Sequence, residues 1–414
     1  MSRPIPGKQY AIQDEDTLSQ VSRRAYGSAG YWPIIWRANQ SRLRSGNPDL
    51  IYPGEIVFIP DIPELKAQDR PLARKDADEL SIVIDGLEIR SYSSRVMLTM
   101  DTASDGWTAS LQWNPGEDPA LDSRLLPYAY PPAKVYIGGE LLISGYLYNV
   151  ASSLSGEGTI KELAGWSRTA DLIDSTLRPP YEENSVTLQQ RAEKLVRPHG
   201  IKAVFDTPPG GVFDRVTANE SDTIFDHLKK LAKERGILIS STPEGNLLFT
   251  SANVRGASIA TIEEGSPLVR DFKAEFNGRE RFNTYRAINT TPFGNNEGIS
   301  KDNRVPRSRI KTFRVEKSVA GEIETAARWE RNKTLADALT IPVPVVGWLN
   351  PRTGKIWKPN QKITVISPSI HVPKGFDFLI RSVEFEETKN EKTATLNIIP
   401  PQVYTKGEII EPWA

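Results

Sequence analysis

Apolar positions recur in different rhythms along this chain, and each rhythm predicts a region. From residue 8 to residue 60 the elements are short. Tyr10 to Ile12 reads as a strand. Leu18, Val21 and Ala25 line one face of a helix from about Leu18 to Tyr26, with Asp14, Asp16 and Thr17 as caps before it and Gly27 after it. Trp32 to Asn39 gives a second helix holding Ile35, Trp36 and Ala38. The turn Pro53-Gly54 leads into a closing strand from Glu55 to Ile59. The expectation is a βααβ unit, too small for a large core. Residues 61–79 are charged, contain Pro63 and Pro71 and lack any period, as a linker or an extended arm would.

Strict alternation begins at Leu80. Leu80, Ile82 and Ile84 lead into the hairpin signal Asp85-Gly86, and Ile89 to Met100 alternates again. Trp107, Ala109, Leu111 and Trp113 share a face; Val135 to Ile137, Leu141 to Val150 and Thr159 to Leu163 are further strands. Such strands without a long helix predict a small antiparallel barrel over 80–167, because closure hides the edges. The proline-rich stretch 115–132 predicts a long loop.

Over 168–268 the period becomes helical. Leu188, Ala192 and Leu195 mark a helix from Leu188 to Val196. A second runs from Asp222 to Arg235, with Ser221 as cap, Ile224, Phe225, Leu228, Leu231 and Ala232 on its core face and Gly236 closing it. Strands at 201–205, 237–240 and 246–250 complete a small α+β domain. Alternation returns over 269–401 as a second barrel, with strands at 269–277 and 283–289, a polar loop at 291–309, a helix from about Ile323 to Leu339 and a final hairpin at 378–385 and 394–399; 402–414 is a tail. The predicted class is multidomain α+β.

Composition adds bounds. With 38% hydrophobic and 25% charged residues, the 414-residue chain is a folded multidomain protein. Its 52 basic and 52 acidic residues cancel, which gives no global support for nucleic-acid binding. No cysteine is present, so disulfides, thiolate catalysis and cysteine-rich zinc sites are excluded. No apolar run reaches the ~18 residues of a membrane span, and the opening residues lack a signal core, so synthesis in a cytoplasm is expected.

Chemistry is sparse. His199, His227 and His371 are far apart, and no metal or cofactor is expected from them. Asp222 and Asp226 stand at i, i+4 with Glu234 further along the helix, and a solvated face explains them better than acid–base work does. Asp171, Asp174 and Ser175 lie in a turn without a basic neighbour in sequence. No phosphate loop, zinc-protease helix or nucleophile elbow occurs, so no catalytic residue is assigned.

The first unit resembles a LysM domain through Tyr10-Ala11-Ile12, Asp16-Thr17-Leu18, Ala25-Tyr26-Gly27, Ile35, Ala38-Asn39, Ile51, Pro53-Gly54, Ile56 and Ile59-Pro60. The resemblance implies binding of N-acetylglucosamine-containing glycans such as peptidoglycan, in a groove between two loops. Asp14, Asp16, Thr17 and Leu18 would stand on one loop and Asn47 and Leu50 on the other. The bulky Tyr31-Trp32-Pro33 and Trp36 depart from that pattern, and Trp32 and Trp36 would serve equally as docking aromatics.

From about Leu80 to Pro401 the chain resembles the baseplate hub proteins of contractile-tailed, Mu-like phages. The resemblance rests on the order of short motifs. Gly165-Trp166-Ser167, Asp171 to Ser175, Glu220 to Phe225, Ala232 to Gly236 and Gly245 to Phe249 come first. Trp329-Glu330, Gly347-Trp348, Trp357 to Asn360, Leu379 to Val383 and Ala394 to Pro400 follow. It implies a non-enzymatic homotrimeric ring in the virion that joins a sixfold tail tube to a threefold central spike and lines a DNA channel. Its partners would be the spike, the tube or distal tail protein and baseplate wedge proteins, and the first unit would anchor a neighbour or bind peptidoglycan. A tailocin or injector hub, a monomeric glycan binder and a wall hydrolase targeted by the LysM-like unit are the alternatives.

Overall fold

The computed structural model describes residues 4–414 apart from 15, 27–31, 49, 61–76, 90, 115, 117, 156–157, 270–271, 292–293, 316–321, 389–390, 405–409, 412 and 414. Strand outweighs helix in a mixed α+β chain that divides into two units, Met1–Glu79 and Leu80–Ala414. Most of the proposed linker lies outside the described residues, as do Gly27 and Tyr31.

The first unit runs β1 (Gln9–Ala11), α1 (Leu18–Tyr26), α2 (Trp32–Asn39) and β2 (Ile56–Phe58), the expected βααβ order. β1 and β2 pair antiparallel, with Tyr10 opposite Val57 and both buried. Of the three available caps only Thr17 closes α1: its Oγ1 accepts from Gln20 N at 3.2 Å while Gln20 Oε1 accepts from Thr17 N at 3.1 Å. Asn39 is fully buried at the end of α2 and bridges to β2, donating Nδ2 to Phe58 O at 2.7 Å and accepting from Phe58 N at 2.7 Å. The small core holds Leu18, Val21, Ile35, Leu43 and Ile59.

The second unit opens with β3 (Leu80–Ile84) and β4 (Leu87–Ile89), joined through Asp85 and Gly86 at φ 45° and 79°, as the Asp-Gly signal requires. β5 (Ser93–Thr99), β6 (Gly106–Trp113), the short helix α3 (Pro119–Arg124), β7 (Pro132–Ile137), β8 (Glu140–Ser155) and β9 (Gly158–Ser167) follow. α3 lies inside the stretch expected as a loop; Asp118 caps it, accepting from Ala120 N and Leu121 N. Next come α4 (Asp171–Asp174), β10 (Glu182–Val186), α5 (Leu188–Val196), β11 (Ala203–Phe205), β12 (Phe213–Thr217), α6 (Ile224–Glu234), β13 (Leu238–Ser241) and β14 (Leu247–Thr250). Thr223, not Ser221, caps α6, its Oγ1 accepting from Asp226 N at 3.0 Å. Gly236 takes φ 68° just beyond the helix. α5 and α6 pack over the sheet β11-β14-β13 around their own core.

The rest is β15 (Thr261–Glu263), β16 (Glu275–Phe276), β17 (Thr284–Thr291), β18 (Gly294–Lys301), β19 (Ile310–Arg314), α7 (Glu322–Asp337), β20 (Leu339–Val346), β21 (Lys362–Ser367), β22 (Val372–Glu387) and β23 (Lys392–Ile399). Much of the stretch expected as a polar loop is strand β18, which pairs along the whole of β17. Its polar residues concealed the pairing because α7 covers only one face of this three-stranded sheet. Of the strand expected at 269–277, the described residues show β16 and a bridge between Val269 and Val345; residues 270–271 lie outside them.

Apart from β17, β18 and β19, which form their own three-stranded sheet, the strands of 80–167 and 261–399 share one ladder of 13 strands, ordered β16-β20-β23-β22-β5-β6-β9-β8-β7-β3-β4, with β21 and β15 branching from β22. β22 makes the join. Along one side it pairs with β23; along the other it pairs first with β21, through Leu379, and then with β5, from Ser382. Arg381 is the extra residue at the changeover, where the register against β23 shifts. Both sequence segments contribute to one core, from Ile82, Val96 and Trp107 to Val343, Phe378 and Phe385. Separate alternating runs cannot reveal a shared core, because each satisfies its own period. Gly165 lets the Trp107 indole lie on the backbone: a Cβ there would fall 2.4 Å from the ring.

Candidate docking sites

In the first unit the chain just before the first loop is bonded to the turn that follows the second: Ile12 N donates to Glu55 O at 2.8 Å and Gly54 N to Ile12 O at 2.7 Å. Asp14, Asn47 and Leu50 are exposed on them. Leu18 is core, 2% exposed, and Asp16 is committed inside the unit. Asp16 accepts from Tyr10 Oη at 2.8 Å and Gln13 N at 2.9 Å and pairs with Arg24. Thr17 is exposed but engaged as the helix cap. Buried Glu55 fixes the second loop by accepting from Arg44 N and Tyr52 N, each at 2.8 Å. Trp32 and Trp36 both lie half-buried against the core. Tyr52, Ile56 and Phe58, to which the sequence assigned no docking role, stand exposed. The last two occupy the outer face of β2, and the unbroken apolar run Ile56-Val57-Phe58 was the available signal.

In the second unit the perturbed groups gather where the sheet meets the α/β layer. Arg381 reaches Asp101 with both Nε, at 3.0 Å, and Nη2, at 2.9 Å, and Tyr404 Oη donates to the same carboxylate at 3.0 Å. Lys229 Nζ from α6 donates to Asp101 O at 3.2 Å. Asp101, Arg381 and Lys229 border a cleft of about 400 Å³. Burial, then the Asp101 charge, raises the Tyr404 hydroxyl. Asp105 lies nearby in sequence and is buried; it accepts from Thr99 N at 2.8 Å and from Ser241 Oγ, and burial pushes its carboxyl up to about 7. On α6 His227 is buried and held down to about 4, by burial and then by the Arg191 charge, and it accepts from Arg191 Nε at 3.2 Å.

Each of these groups is held by hydrogen bonds or ion pairs to its neighbours among the described residues. Asp222 accepts from Asn219 N and pairs with Lys230, and Asp226 belongs to the α6 cap. Asp171 accepts from Tyr148 Oη, and Ser175 N donates to Asp171 O. His199, His227 and His371 belong to different elements, and among the described residues no group of three or more His, Asp or Glu could hold a metal. No described helix is long and apolar enough to cross a membrane.

Two family models match the second unit in order: the second domain of the gp44-like baseplate hub protein over residues 169–251, and the fourth domain of the Mu phage baseplate assembly protein GpP over residues 320–407. The chain is 26% identical over 268 residues to baseplate hub protein gp44 of Escherichia phage Mu, covering 60% of this chain and 69% of that one. It is 42% identical over 52 residues to the potassium binding protein Kbp of Escherichia coli, covering 13% of this chain and 34% of the other. Its fold is that of the 43 kDa tail protein of prophage MuSo2 from Shewanella oneidensis, with TM-score 0.68, 24% identity, 79% of this chain and 99% of that chain covered. Fold and matches define a phage tail structural protein. Within that class the matches support a structural baseplate hub of the Mu-like type, a component of the virion tail baseplate.

Proposed function

We propose that the hub works as a homotrimeric ring, without catalysis, that adapts a sixfold tail tube to a threefold central spike and leaves a channel for DNA. The observation that carries this reading is the single ladder joined through β5 and β22. It holds the strands of 80–167 and most of those of 269–401 in one fixed relation, which we read as two tube-like lobes, with the α+β layer of 168–268 attached. Two such groups per chain, repeated three times, give the pseudo-sixfold ring the adaptor needs. Spike, tube and wedge proteins are the partners proposed for its faces.

The LysM-like unit, residues 8–60, is proposed as an anchor for a neighbouring baseplate protein, with 61–79 as its linker. Exposed Leu50, Tyr52, Ile56 and Phe58 favour an apolar protein contact, while Asp14 and Asn47 are the exposed polar groups a glycan would meet. Averaged electron-microscope images of the purified chain test the ring: threefold averages with six lobes and a central opening support it. Featureless single-chain particles refute it. Sedimentation with purified peptidoglycan tests the second point; retention lost on Asp14→Ala with Asn47→Ala would overturn anchoring in favour of glycan binding.

A further inference from the structure

The ladder of the second unit repeats itself. In one half β5-β6-β9-β8-β7 run through antiparallel pairs, and in the other β16-β20-β23-β22-β21 do the same, with counterpart strands in the same order along the chain. β8 and β22 are counterparts, each 16 residues long. Each carries one extra residue at a register shift, Tyr148 against β9 and Arg381 against β23. Up to that point each also pairs with a short strand on its other side, β8 with β7 through Tyr146 and β22 with β21 through Leu379.

Beyond the extra residue the two halves differ. β22 continues against β5, from Ser382 to Glu387. From Asn149 to Ser155 the outer edge of β8 has no strand partner among the described residues. That edge carries no charged residue and no proline, and Ala151, Ser152, Ser153 and Leu154 stand exposed on it, so it lacks the usual protection against pairing with another chain. The counterpart of β5 is β16, which ends the ladder and is also open along its outer edge among the described residues. β5, held between two neighbours, is strand over seven residues; β16, with β20 alone beside it, is strand only at Glu275–Phe276. Phe276 is 45% exposed; Trp413 and His371 flank its ring, and Arg281 lines the cleft beside it.

We propose that β16 of one copy pairs with the free edge of β8 on the next, repeating between chains the join that β5 makes with β22 within one. This rests on the ring reading and names the contact that closes the ring. The chain's own β16 lies at the other end of the ladder, with β20, β23, β22, β5, β6 and β9 between it and β8, and does not pair with it. Two different free edges make a head-to-tail contact, the kind that closes into a ring. Carrying the register of β5 on β22 over to β8 sets Val150 opposite Phe276 and Ala151 opposite Glu275 of the next copy; continued outward, it sets Leu154 beside Phe272. Val150 and Phe272 already pack against the shared core, so the added strand extends that core and covers Phe276 and Leu154.

The chain has no cysteine, so introduced cysteines report the pairing. Ala151 and Glu275 are both exposed, and residues opposed in an antiparallel pair lie about 4.5–5.5 Å apart at Cα, within disulfide reach. Chains carrying Ala151→Cys and Glu275→Cys are mixed and oxidised. A disulfide-linked product of the two variants is expected, and the doubly substituted chain should give covalent three-chain rings. An equal yield from either variant alone is collision and overturns the pairing. Light scattering on the same samples separates the readings: a three-chain mass without the mixed disulfide overturns this edge contact alone, while a single-chain mass overturns the ring as well. Leu154→Lys places a charge on the open edge, and Leu154 is 82% exposed, so the single chain keeps its fold. The concentration for half-assembly should rise about tenfold or more; an unchanged value counts against the pairing.

Discussion

Asp105→Asn should stabilise the second unit at neutral pH. Asp105 is 5% exposed, and burial is the largest influence on it, opposed by hydrogen bonds from Ser241 and Thr99; no neighbouring cation contributes. The carboxyl therefore moves from 3.8 to about 7. The folded state holds a proton that the unfolded chain has released, so stability is full below the unfolded value and declines as pH rises through this window. At about 1.4 kcal/mol per pK unit, the interval corresponds to a ceiling of roughly 4 kcal/mol above pH 7. Asparagine keeps both contacts: Oδ1 accepts from Thr99 N, and Nδ2 can donate to Ser241 Oγ. The two proteins should match near pH 4 and diverge to a few kcal/mol, in favour of Asn, by pH 8. Hydrogen exchange of peptides from 93–113 and 238–250 reads this unit separately from the first. A gap independent of pH, or an Asn variant less protected at pH 8 than at pH 4 relative to wild type, would refute the reasoning.

The remaining predictions probe other joins. Arg381→Ala leaves Asp101 and Asp337 without their cation at the β22 changeover and should cost about 2–4 kcal/mol in thermal unfolding; Arg381→Lys should recover only part, because it cannot offer two nitrogens to Asp101. Glu183→Gln leaves Arg191, 1% exposed, without its counter-charge and should destabilise by about 3 kcal/mol. His227→Gln should flatten acid sensitivity between pH 6.5 and about 4, since a buried imidazole held neutral loses stability as pH falls through that window; an unchanged profile would count against it. Asn39→Ala should raise exchange in the first unit alone, by about 2 kcal/mol or more of lost protection, because it orphans buried groups of β2.

Local periodicity carried most elements. α1, α2 and α5 fall where the apolar faces placed them, and Asp85-Gly86 forms its hairpin. What sequence could not carry was partnership between distant segments. β5 and β22 each alternate correctly, yet their pairing spans almost the whole second unit. β18 is polar because one face is left open, so it reads as loop. The proposed loop residues divide for the same reason. Asp14 and Leu50 remain exposed, whereas Leu18 and Asp16 serve the unit's own packing and hydrogen bonding, a distinction that depends on Tyr10 and Arg24 coming close in space. The cleft around Arg281 is not legible in the sequence because its residues come from five separated stretches.

The most direct test of the hub account is the native mass of the full chain by light scattering across a concentration series with its spike partner absent and present. The ring predicts three times 46.1 kDa, about 138 kDa, for the chain's own oligomer. A species that stays at 46.1 kDa at every concentration, and gains no further copies when the spike is added, would contradict it.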